Sequence, residues 1–116
     1  MSIDDLRFGL HPGIREEVAA GHDGGIYRAR VLGDRAAILE QAANLEGRIY
    51  QVLRPLRRHR LSRKGMSHVL WHHRNLGLVR HGLIDYQAEP GPFLKRALAE
   101  IPQSVKRELE AIIGRE

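Results

Sequence analysis

The sequence predicts a single, mostly α domain with a small β-hairpin, its two central helices joined by a short turn in the helix-turn-helix manner. Three observations lead there. Apolar residues recur at three- and four-residue spacing through the middle and the C-terminal third, only two short runs alternate as strands do, and 116 residues (13.2 kDa) suffice for one core but not for two. The chain reads as an N-terminal segment (1–33), a basic helix-turn-helix-like region (34–88) and a C-terminal helical segment (89–116).

Residues 1–25 are weakly patterned. A short helix is expected over His11 to Ala20, with Pro12 near its start, Gly21 near its end, and Ile14, Val18 and Ala19 on its apolar face. His22-Asp-Gly-Gly25 reads as a loop, and Ile26 to Leu32 as a short strand with Tyr27, Ala29 and Val31 on one side. Asp34 can then accept from the free N–H groups of a long helix. Ile38, Ala42, Leu45, Ile49, Val52 and Leu56 step by four, three, four, three and four, a heptad seam that serves either the domain's own core or a dimer; Gly47 weakens its middle. Pro55 disfavours helical geometry at Arg54, which ends the helix near Leu53 and lets a short one begin with Pro55 at its first position.

Ser62 is placed to cap a further helix from Arg63 to about Asn75. Met66, Val69, Leu70, His73 and Leu76 share an arc of about 120° on it, and Lys64, Ser67, His68, Trp71, Arg74 and Asn75 occupy the opposite face. Gly77 is expected to close this helix, with Leu78 to Tyr86 extended and a tight turn at His81-Gly82. After Glu89-Pro-Gly-Pro92 come two short helical patterns. The first buries Phe93, Leu94, Ala97, Leu98 and Ile101; the second, capped by Ser104, buries Val105, Leu109, Ile112 and Ile113. Either is a core or a dimer surface.

Charge carries more information than fold. Lys and Arg number 19 against 14 Asp and Glu, for a net +5 and a pI near 10.2. From Gly47 to Ile84 there is no acid at all, and the 38 residues hold nine bases: Arg48, Arg54, Arg57, Arg58, Arg60, Arg63, Lys64, Arg74 and Arg80. The other 78 residues carry a net −4. Five of the seven histidines fall in the same window, so mild acidification would make it more positive. A solvated surface balanced by carboxylates from elsewhere is the plain alternative, but a single-sign field of that density favours a polyanion partner. No apolar run approaches the roughly 18 residues of a membrane span. The absence of Cys removes thiol nucleophiles, thiolate metal sites and disulfides, and Met1-Ser-Ile-Asp-Asp-Leu lacks the basic-then-apolar order of a secretion signal, so a cytoplasmic protein is expected.

Leu61-Ser62, Met66-Ser67-His68-x-Leu70, Leu76-Gly77-Leu78-Val79-Arg80 and Tyr86 together resemble the recognition helix and wing of winged helix-turn-helix transcription regulators of the small metalloregulator and multidrug-resistance regulator type, over roughly residues 45–86. The resemblance implies a winged domain that binds double-stranded DNA as a regulator. Pro55, the short wing and Trp71 on the outward face depart from the pattern. Physics points the same way. An apolar stripe would seat the helix while Arg63, Lys64, Ser67, His68 and Arg74 offer donors to the major groove. Arg57, Arg58 and Arg60 on its approach, and Arg80 and His81 on its exit, would contact phosphates. A homodimer is the expected form.

An outward Trp71 ringed by bases would also suit RNA, single strands or a protein partner, as in a basic component of a nucleoprotein or phage-type assembly; a helical phase one residue different would bury it. His68-x-x-x-His72 has zinc spacing, but no Asp, Glu or Cys follows until Asp85, so no metal or other cofactor is expected. Ser2, Ser62, Ser67 and Ser104 read as tail, cap, helix-face and cap residues, and Glu16-Glu17 would diverge on a helix. No catalysis is expected.

Overall fold

The computed structural model describes residues 16–20 at the level of the backbone, and 25–57 and 61–114 in full. Its architecture is mostly α with a small antiparallel sheet. Strands β1 (Glu16–Ala20), β2 (Ile26–Val31) and β3 (Ile84–Glu89) form a sheet in the order β1-β2-β3; helices α1 (Arg35–Leu53), α2 (Arg63–Arg80), α3 (Pro92–Ala99) and α4 (Gln103–Ile112) complete the chain.

Strand β2 alternates as its sequence dictates: Tyr27 and Ala29 are buried, Val31 is half-buried, and Ile26, Arg28 and Arg30 face solvent. It pairs with β3 so that Ala29 lies opposite Tyr86 and Val31 opposite Ile84, putting one apolar face on the helices. On the outer face Arg30 meets Asp85 at 3.9 Å, an exposed pair that contributes at most about 1 kcal/mol. The helix expected over His11–Ala20 is corrected where it is described: Glu16–Ala20 is a strand paired with β2, Val18 opposite Arg28. Five residues satisfy more backbone groups by pairing with a ready strand than one isolated helical turn could. His11–Arg15 and the loop residues His22–Gly24 lie outside the described residues.

Helix α1 starts where Asp34 Oδ2 accepts from the Ala37 N–H at 3.1 Å and ends at Leu53, one residue before the Arg54–Leu56 3₁₀ turn that carries Pro55. Its buried residues are Ile38, Ala42, Leu45, Ile49 and Leu53. The heptad step to Val52 is thus replaced by a step to Leu53, the period of a straight helix on a globular core. That seam packs against α2 and α4, so it is occupied within the chain and is not a dimer interface. The C-terminal helices likewise bury Leu94, Ala97, Ile101, Leu109 and Ile113 in the same chain, with Pro102 rather than Ser104 preceding α4 as its cap residue.

Helix α2 is longer than the sequence suggests. Gly77 does not end it, because that glycine is where α1 approaches: a Cβ there would stand 2.8 Å from Leu45 Cδ1. The helix instead stops at His81, followed by Gly82 at φ +73°. Leu83 N–H donates to Leu78 O at 3.0 Å and Gly82 N–H to Val79 O at 2.9 Å, the paired closure of a left-handed glycine cap. The expected extended run therefore begins only at Ile84, and its partner is the N-terminal strand β2.

Candidate nucleic-acid interface

A groove-reading helix must keep one face free. Between Gly65 and Leu78 no residue of α2 is exposed: α1, α3 and β3 enclose it. The outward face expected from its polar residues is corrected on three of the proposed contact residues. His68 is 1% exposed, Trp71 7% and Arg74 0%, and Ser67 is half-buried. Trp71 belongs to the hydrophobic core, so no indole platform is presented to bases or to a protein.

Two of the buried polar side chains, Arg74 and His68, meet specific neighbours from other elements. Arg74 Nη1 donates to Glu46 Oε2 of α1 at 2.7 Å and its Nε donates to Asn75 Oδ1 at 3.1 Å. A guanidinium so enclosed is tolerable because the carboxylate neutralises it and amide oxygen accepts from it. Asn75 Nδ2 is buried with no hydrogen-bond partner among the described residues. His68 stands edge-on to Phe93 of α3, centroids 5.2 Å apart.

His72 and His73 do not add the acid-induced charge expected of them near neutrality. Burial, with His73 as a second cause, pushes His72 down to about 4, and its Nδ1 shares a 2.9 Å hydrogen bond with the Tyr86 hydroxyl. His73 is also lowered, by burial, against the opposing pull of its hydrogen bond to Val69 O and of Glu110. Among the described residues no three His, Cys, Asp or Glu side chains converge as a metal site would require.

What remains exposed gathers at two ends. Arg80 and His81 lie at the C-terminal end of α2, about 25 Å along the helix from Arg63. At the other end the 3₁₀ turn, with Leu61 N–H donating to Leu56 O at 3.0 Å, brings Arg54 and Arg57 toward Arg63 and Lys64 in the first turn of α2. Ser62 Oγ accepts from Gly65 N–H at 3.0 Å and orients that turn. All four cations are exposed, and none makes an ion pair with an acid among the described residues. Arg58 and Arg60 lie outside the described residues.

Helix α3 borders this basic corner. Lys64 Nζ lies 5.9 Å from the centre of the Phe93 ring, and a cleft of about 220 Å³ between the two helices is lined by Ser62, Phe93, Arg96 and Glu100 among others. Sequence reasoning passed over Arg54, although it lies in the acid-free window, because no helical face was assigned to it. Arg96 had no signal, since only the packing of α3 on α2 brings it near. No helix among the described residues is long and apolar enough to cross a membrane. No family model, curated protein or solved structure matches this chain.

Proposed function

We propose that this protein binds double-stranded DNA without catalysis, gripping phosphates with the basic corner of Arg54, Arg57, Arg63 and Lys64 rather than laying a recognition helix along a groove. The observation that carries the reading is four exposed, acid-free cations at one corner, beside a helix N-terminus whose dipole adds positive potential. The resemblance of Leu61–Tyr86 to winged regulators supports a role in transcription regulation. Enclosure of α2 favours backbone contacts over direct base readout, so affinity should exceed sequence preference.

Binding to a short random duplex, titrated with salt, tests this. Four neutralised phosphates give a slope of log affinity on log salt of about −3.6. Arg57→Glu and Arg63→Glu should each weaken binding ~tenfold at low salt, whereas Arg80→Glu at the far end should have a much smaller effect. A flat salt response, or an Arg80 variant as damaging as the corner variants, would refute the assignment. Tighter binding to single strands or RNA than to duplex would move the same corner to a different nucleic acid.

A further inference from the structure

Helix α1 has a second, outward face that no element among the described residues covers. Leu39 is 44% exposed and Tyr50 37%, both outside the packed seam of α1. Between them Ala43 and Gly47 are also exposed, and a Cβ at Gly47 would meet nothing within 4 Å. Glu40 and Arg54 flank this face. Neither makes an ion pair or a hydrogen bond through its side chain among the described residues.

The spacing selects the occupant. Glu40 lies seven residues before Gly47 and Arg54 seven after, two helical turns in each direction and on the same face. We propose that this face binds a second copy of the chain, antiparallel, with the two Gly47 residues at the crossing. Glu40 of each protomer then lies opposite Arg54 of its partner, twice over the interface, while Tyr50 lies over the small Ala43 region and Leu39 toward Pro55. A parallel pairing would set Glu40 against Glu40 and Arg54 against Arg54, so charge excludes it. A 19-residue helix offers a face about 28 Å long, and one helix pair is a small contact, so the dimer is concentration-dependent rather than obligate.

The consequence for DNA binding rests on the proposed function. Arg57 lies ten residues, about 15 Å, from Gly47, so the two basic corners of such a dimer stand roughly 30 Å apart, close to one turn of duplex. The dimer would then grip two successive turns from one side through Arg57, Arg63 and Lys64 of each protomer, with Arg54 engaged by the opposite Glu40.

Sedimentation equilibrium of the 116-residue chain without nucleic acid, from micromolar to millimolar, tests the dimer independently of DNA. The wild type should show a monomer–dimer equilibrium, and Leu39→Glu or Tyr50→Glu should raise its dissociation constant ~tenfold or more with unchanged helical circular dichroism. Glu40→Arg alone and Arg54→Glu alone should each weaken it several-fold, and the double variant should recover most of the loss. A wild type that stays monomeric at every concentration, a dimer indifferent to Leu39→Glu, or a double charge exchange without recovery would overturn the proposal. Leu39→Glu leaves the basic corner intact, so it should keep single-site duplex binding; loss of binding in Arg57→Glu and Arg63→Glu with the dimer preserved reports on the DNA reading alone.

Discussion

The middle of α2 and the corner that precedes it come from the same acid-free window, yet one is sealed from water and the other is surrounded by it. Arg74 and Arg63 are eleven residues apart in one helix; Arg74 is fully buried and Arg63 exposed. The difference is made by neighbours from outside the window. Glu46, one residue before it begins, reaches across from α1 to hold Arg74, and α3 and β3 close over the rest of the helix. Nothing of that kind reaches Arg54, Arg57, Arg63 or Lys64 among the described residues. A run of bases along a chain is therefore not yet a surface. It becomes one only where the fold brings no carboxylate to meet it.

The sharpest way to break this contrast is to remove one member of the buried pair. Arg74→Ala should destabilise the fold by about 3–5 kcal/mol, since it leaves a void in the core and strands Asn75 Oδ1, whereas Arg63→Ala should stay within about 0.5 kcal/mol of wild type in urea unfolding. Equal losses would mean that the two arginines are not in different environments.

Next in size is acid. His72 is neutral in the folded chain down to about pH 4 but protonates near 6.5 when unfolded, so the unfolded state binds the extra proton between those values. Stability should consequently fall as pH drops from about 6.5 to about 4, by something of the order of 3 kcal/mol from this residue, with His73 acting in the same direction. His72→Gln should flatten that slope in unfolding curves taken at a series of pH values. A slope unchanged by the substitution would place the acid sensitivity elsewhere.

The smallest effect compares two helical glycines. Gly77→Ala gains about 1 kcal/mol of helix propensity but drives a methyl into Leu45, itself buried and held in the core, so a net loss of up to about 2 kcal/mol is expected. Gly47→Ala meets open space in the monomer and should raise its stability by up to about 1 kcal/mol, measured at concentrations too low for association. Opposite signs would sharpen the distinction between a packed and an open face; like signs would erase it.

Much of the fold was legible because local rules decide it. Asp34 and Ser62 cap the helices they were expected to cap, and Tyr27, Ala29 and Val31 turn inward together. α1 ends at Leu53 as expected, but Pro55 does not drive Arg54 out of the helical region: Arg54 keeps φ −51°, ψ −44° and opens the 3₁₀ turn, because a proline in a first turn costs no hydrogen bond. Gly77 misled because the same residue type serves a helix end and a close helix crossing, and periodicity cannot tell these apart. Within the candidate site, Arg57, Arg63 and Lys64 are exposed as expected, while His68, Trp71 and Arg74 are not. Polar character on one helical face does not by itself mean solvent: a distant carboxylate, Glu46, takes the place of water at Arg74.

From the sequence by itself came the mostly helical class, the caps and breaks of the central helices, and the concentration of positive charge between Gly47 and Ile84. Tertiary structure alone decided which of those charges meet solvent. The reason is physical: capping and periodicity act within a few residues of chain, whereas burial and neutralisation are set by elements such as α1, α3 and β3 that arrive from far along it.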